Sequence, residues 1–136
     1  MANLRAITTN VIPLVVCTGL IVAPVAVHAD VSSEVSVAAA HAGLSAGSTD
    51  LPTAHAHLQQ VLNCLVGPNG KVFDQNALDP CKGLGGGAIP DTSDILKKEM
   101  LQRAATRAYE ALKNADLAAV KKDAGNIQTT LKAIRY

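Results

Sequence analysis

Three histidines stand close together in the first half of the chain: His41, His55 and His57 fall within a stretch of seventeen residues. Neutral imidazole nitrogens suit copper, zinc and nickel, so the chemistry they could do is reversible binding of a divalent transition-metal ion. His55 and His57 are two residues apart. On one helix such a pair projects about 200° apart, and one helix cannot aim both rings at a single ion. A helical hairpin whose turn is centred near residue 48 brings His41 level with His55 instead. Those two are the expected ligands on facing helices, with His57 a secondary ligand or a bridge to another molecule. Asp50, Asp123 and Glu34 could complete a coordination shell, but nothing in their spacing selects them.

The cysteines point to another compartment and to a covalent staple. Arg5 precedes a run free of charge from Val11 to Val27, and Val27-His28-Ala29 offers small residues at the two positions a signal peptidase reads. A basic start, an apolar middle and such a site predict a secretory signal peptide over residues 1–29, and a periplasmic or secreted product beginning at Asp30. Pro13, Gly19 and Pro24 interrupt the run, which argues against a spanning anchor of about 20 residues and for no stable membrane anchor after processing. Cys17 and His28 leave with the leader. Cys64 and Cys81 remain, and an even pair in an exported chain reads as a disulfide. Gly67-Pro68-Asn69-Gly70 and Asp79-Pro80 between them are turn residues that let the ring close. Two thiolate metal ligands are the alternative use of the pair, better suited to a reducing compartment.

The elements that must position these residues are helices. Leu117, Val120, Ala124, Ile127, Leu131 and Ile134 are spaced three and four apart along one face, with Asp116 as a plausible N-cap. Leu101, Ala105, Ala108, Leu112 and Ala115 follow the same rule in a segment opened by Thr92, Ser93 and Asp94. A shift of 66 residues lays Asp50-Leu51 on Asp116-Leu117, Ala42 on Ala108, Val61 on Ile127 and Leu65 on Leu131. The pattern predicts a duplicated hairpin: helices over 31–46 and 51–66, a Gly/Pro-rich loop over 67–90, and a second hairpin over 91–134. Two hairpins bury their seams best against each other, so the expected fold is all-α, an up-down four-helix bundle in one domain over 30–136.

Composition narrows the function. Apolar residues make up 49% of the chain and charged residues 17%, which argues against disorder. Twelve basic side chains against eleven acidic ones, and no Trp, give no footprint for nucleic acid. Residues 30–80 carry five acids and one base, whereas 81–136 carry six acids and ten bases, so the halves have opposite sign. That asymmetry serves docking of the halves, or a basic face for an anionic partner.

Ala40-His41-Ala42, then Gly47-Ser48-Thr49-Asp50-Leu51, then Thr53-Ala54-His55-Ala56-His57-Leu58 resembles the repeat of the small metal-binding proteins of the bacterial periplasm. The resemblance covers residues 38–62, with a copy lacking His over 104–128. It implies a His- and Ala-rich four-helix bundle that binds divalent cations, copper especially, and carries over only to His41, His55 and His57. The chain departs from that pattern in its few histidines, its basic second copy and its cysteine loop, which leave room for one or two ions.

Other motifs fall away. A Cys-x-x-Cys-His haem signature is missing, and haem held by His41 or His55 with Met100 is a third reading. Asp74-Gln75-Asn76-Ala77-Leu78-Asp79 lacks the Gly of a calcium loop, and Gly83-Leu84-Gly85-Gly86-Gly87 lacks the Lys-Ser/Thr ending of a phosphate cradle. No catalytic constellation is present, and a non-enzyme is expected. The first expectation is an exported binder of copper, zinc or nickel. The rival is a protein-interaction or structural module using the cysteine loop and the basic second hairpin.

Overall fold

The computed structural model describes residues 29–136; Cys17, His28 and nearly all of the expected signal peptide over residues 1–29 lie outside the described residues. Among the described residues four aspartates start the four long helices. Asp30 accepts from the Ser33 amide at the head of α1 (Val31–Gly47), and Asp50 from the Thr53 amide at the head of α2 (Leu51–Val66). One short helix follows the loop, α3 (Ala88–Asp91). Asp94 then accepts from Leu96 and Lys97 to start α4 (Ile95–Ala111), and Asp116 from Ala118 to start α5 (Leu117–Ala133). A carboxylate that takes up a free amide at a helix head stabilises that helix by about 1 kcal/mol. Pro52 sits in the first turn of α2, where a missing N–H costs little. The described residues form helices and no strand, and none of these helices is long and apolar enough to cross a membrane.

The 66-residue register is visible in what the helices bury. Val35, Ala38, Ala39, Ala42 and Ser45 of α1 are buried, and so are their counterparts Leu101, Ala104, Ala105, Ala108 and Ala111 of α4. Ala54, Leu58, Val61 and Leu65 of α2 match Val120, Ala124, Ile127 and Leu131 of α5 in the same way. Ala115 is a correction to the expected seam. The second hairpin turns after Ala111, which leaves Ala115 exposed in the connection. Each long helix packs against two neighbours in the cyclic order α1, α2, α4, α5; α2 also meets α5 across the middle, whereas the backbones of α1 and α4 stay farther apart. The core between them is built from Leu58, Val61, Leu62, Leu65, Leu101, Val120, Ile127 and Leu131.

The stretch between the hairpins is held by three devices. Cys64 and Cys81 form a disulfide with their Cα atoms 5.2 Å apart, so the thiolate alternative does not apply. The buried Asn63 side chain donates to the Asp74 carbonyl and accepts from the Asp74 amide, both at 3.0 Å, and Gln59 bridges Asn63 to the Val72 carbonyl. The backbone then crosses itself at Gly67 and Gly87, both with positive φ, where a side chain on either would collide with the other strand of backbone.

The crossing lays Gly85–Gly87 over the start of α1 and buries Glu34 completely. Its Oε1 accepts from the Gly87 amide at 2.9 Å, and its Oε2 has no partner among the described residues. Burial, with the Asp91, Asp30 and Asp79 carboxylates nearby and the Gly87 amide acting the other way, pushes its pKa up from 4.5 to about 7.

Two outcomes follow. A loop of this length closed by a disulfide contributes about 3 kcal/mol in the chain-entropy picture. Reduction, or Cys64→Ser with Cys81→Ser, should lower the urea midpoint accordingly, read by far-ultraviolet circular dichroism. The second outcome concerns the chain with its Ala29–Asp30 bond intact. The unfolded state loses the Glu34 proton near pH 4.5 while the folded state keeps it to about pH 7. Stability therefore falls as pH rises through that window, by up to about 3 kcal/mol. In Glu34→Gln, whose amide oxygen still accepts from Gly87, this loss should vanish in urea titrations at stepped pH.

Candidate metal centre

The first hairpin turns over Ser48–Asp50, centred on residue 49 rather than 48. One residue changes the partner. The residue level with His41 across the hairpin is His57, and its Nδ1 lies 3.4 Å from Nδ1 of His41, with ring centroids 5.6 Å apart and planes tilted by 40°. The Ser45 hydroxyl, donating to the Ala54 carbonyl at 2.9 Å, ties the two helices together nearer the turn and holds the same alignment.

His55 is therefore not the facing partner of His41. Its Nε2–H donates to the Asn114 carbonyl at 3.1 Å, in the connection between α4 and α5. The physical reason is rotation as well as level. The roughly 200° between positions 55 and 57 turns one ring toward α1 and the other toward the second hairpin. His55 serves as a strut between hairpins, and His57, expected as a secondary group, shares the site with His41.

All three imidazoles are half-buried. A residue that the spacing did not single out completes the pair: Gln60, one turn after His57 on the same face, accepts from His57 Nδ1 at 2.9 Å through Oε1. In this arrangement Nδ1 of His57 carries the hydrogen and Nδ1 of His41 presents a lone pair toward it. Burial first, and then the neighbouring His57, hold the His41 pKa below its ordinary value, against the smaller opposing pull of Gln60. A ring kept neutral in this way is ready to act as a ligand.

The carboxylates considered with the histidines do not join them. Asp50 is spent on the head of α2, and Glu34 lies two turns earlier on α1, sealed beneath the loop. Among the described residues no group of three or more His, Cys, Asp or Glu side chains is placed to hold a metal ion. Met100, the other ligand in the haem reading, packs against the core from α4, whereas His55 is engaged with the Asn114 carbonyl.

Glu34 did carry a signal. It stands four residues before Ala38 on the buried face, and the 66-residue register lays it on Met100. Comparison with family models, with curated proteins and with solved structures finds no match in any of the three.

Replacing His55 by Ala should remove the strut to Asn114 at a cost of about 1 kcal/mol. The imidazole resonances of His41 and His57 should stay in place. Urea denaturation and side-chain NMR read the two effects separately.

Proposed function

We propose that this chain is an exported binding protein that carries a divalent transition-metal ion (copper, zinc or nickel) between His41 and His57, on an up-and-down bundle of its four long helices. The observation that carries the reading is the 3.4 Å approach of two imidazole nitrogens from neighbouring helices. Two nitrogens each about 2.0–2.1 Å from one ion in tetrahedral geometry stand about 3.3 Å apart, so the pair fits the edge of such a shell without moving a helix. The cyclic packing of α1, α2, α4 and α5 supports the bundle topology, and the leader-like residues 1–29 support export.

Binding asks little of the site. The proton on Nδ1 of His57 moves to Nε2, which frees a second lone pair, and the Gln60 amide oxygen stands beside it as a third donor. Water or a group from another molecule fills what remains. Two imidazoles and one neutral oxygen make a weak, exchangeable site, which suits a cargo ion passed on rather than a structural ion. The disulfide lies elsewhere and takes no part as a ligand.

Titration of the purified protein with copper, zinc and nickel tests this. His41→Ala and His57→Ala should each weaken binding by tenfold or more while helicity persists, and His55→Ala should leave it within about twofold. Binding should fade as pH drops through the imidazole range, because protons compete for the same lone pairs. Equal loss in all three variants, or in none, would sink the assignment.

A further inference from the structure

We infer that hydrolysis of the Ala29–Asp30 peptide bond delivers the new α-ammonium group of Asp30 to the buried carboxylate of Glu34, closing the start of α1 with an internal ion pair that the uncut chain lacks. The inference rests on the export half of the proposed function and is independent of the metal. Water adds across the C–N bond. Ala29 leaves with the leader as a carboxylate, both protons of the water end on nitrogen, and Asp30 begins the chain as –NH3+.

Three observations meet at this junction. The Asp30 amide has one N–H and spends it on the Leu84 carbonyl at 2.9 Å. An ammonium has three, so it can keep that bond and still offer two more. Next, a methyl group imagined on Gly85 would lie 2.7 Å from Glu34 Oε1 and 3.2 Å from Ala29 Cβ, and would collide with Asp91 Oδ2 as well. Ala29 and the two carboxylates thus surround one point, and removing Ala29 opens space beside the acids. Finally, Glu34 is fully buried and its Oε2 has no partner among the described residues, an arrangement that costs a fold dearly unless something fills it.

Charge favours the same occupant. Asp30, Asp79 and Asp91 all face Glu34 closely enough to disfavour its ionisation. The ion pairs found among the described residues, Glu99 with Arg103 and Glu110 with Lys113, lie on α4 and at its end, so no Lys or Arg is paired with this group. The Gly86 amide already serves Asp91 and the Gly87 amide serves Glu34 Oε1, so neither supplies a partner for Oε2. A positive charge at the head of a helix is opposed by the helix dipole, and the carboxylates of Glu34, Asp30 and Asp91 act the other way.

The test uses the full chain, expressed with export and purified after processing. Intact mass should give a chain beginning at Asp30; any other first residue overturns the inference and the cleavage reading together. The α-amine is then acetylated with an N-hydroxysuccinimide ester across a pH series, native and in urea, and its modification read by peptide mass spectrometry. An ion pair should move the midpoint for native Asp30 at least one pH unit above the ordinary α-amino range of about 7.7–8.0, which is tenfold slower reaction at neutral pH. Glu34→Gln should return the midpoint to that range. An unshifted midpoint in the native protein, even with slower reaction, means simple shielding and overturns the ion pair while leaving export intact. A shift that survives Glu34→Gln overturns Glu34 as the partner. Should that variant fail to fold, the native-against-urea comparison of the unaltered protein decides alone.

Discussion

Along α1 the side chains turned fully inward past its first turn are Val35, Ala38, Ala39, Ala42 and Ser45, and from Ala38 onward none is larger than serine. Short side chains let a helix lie close to its neighbours, and α1 packs extensively against both α2 and α5. Gly43 continues the same stripe: a Cβ there would meet the Gln128 side chain of α5. This closeness has consequences for everything placed on α1. It lets a half-exposed histidine at position 41 reach a ring on α2, and it leaves little room at the head of the helix except for what the loop supplies. Larger side chains along the stripe would hold the helices apart and separate the imidazoles with them.

The two chemically distinctive places in the molecule sit on this one helix and are opposites. Near the middle is a pair of imidazole rings at a helix–helix edge, open to solvent on one side and poorly provided with other donors. Two turns earlier, about 10 Å along the axis, is a sealed carboxylate with acids around it and one amide donor. Both are short of a positive partner, but of different kinds. Soft nitrogen donors at an edge suit an exchangeable transition-metal ion; a buried oxygen anion suits a fixed ammonium. It is the disulfide loop and not the long helices that seals Glu34.

Much of this was legible before any coordinates. Apolar spacing and the 66-residue register located α1, α2 and α5 to within a residue or two but carried the seam of α4 on to Ala115, past its end at Ala111, and aspartates at positions 50 and 116 marked two helix heads. The 66-residue register reappears as matched burial in both hairpins, because equal helix lengths and equal seams must fill the same interior twice. The cysteine pairing followed from an even count in a chain expected to be exported. Less legible was the interior of the loop. Asn63 organises it through hydrogen bonds to backbone eleven residues away, and nothing in a lone Asn on a helix announces that. The glycine crossing at 67 and 87 likewise depends on two stretches of backbone meeting, which no local pattern encodes.

The histidines mark where local reasoning ends. Sequence alone determined that three imidazoles would lie on the first hairpin and that His55 and His57 would face apart, because helical rotation per residue is a fixed quantity. Tertiary structure decided which of the two rings meets His41, and it chose His57, since a turn centred one residue later shifts the level of every pair across the hairpin. It decided, too, that His55 would brace the second hairpin and that Glu34 would be sealed rather than solvated. Those outcomes depend on which neighbour covers a given face, and only the packed chain specifies that.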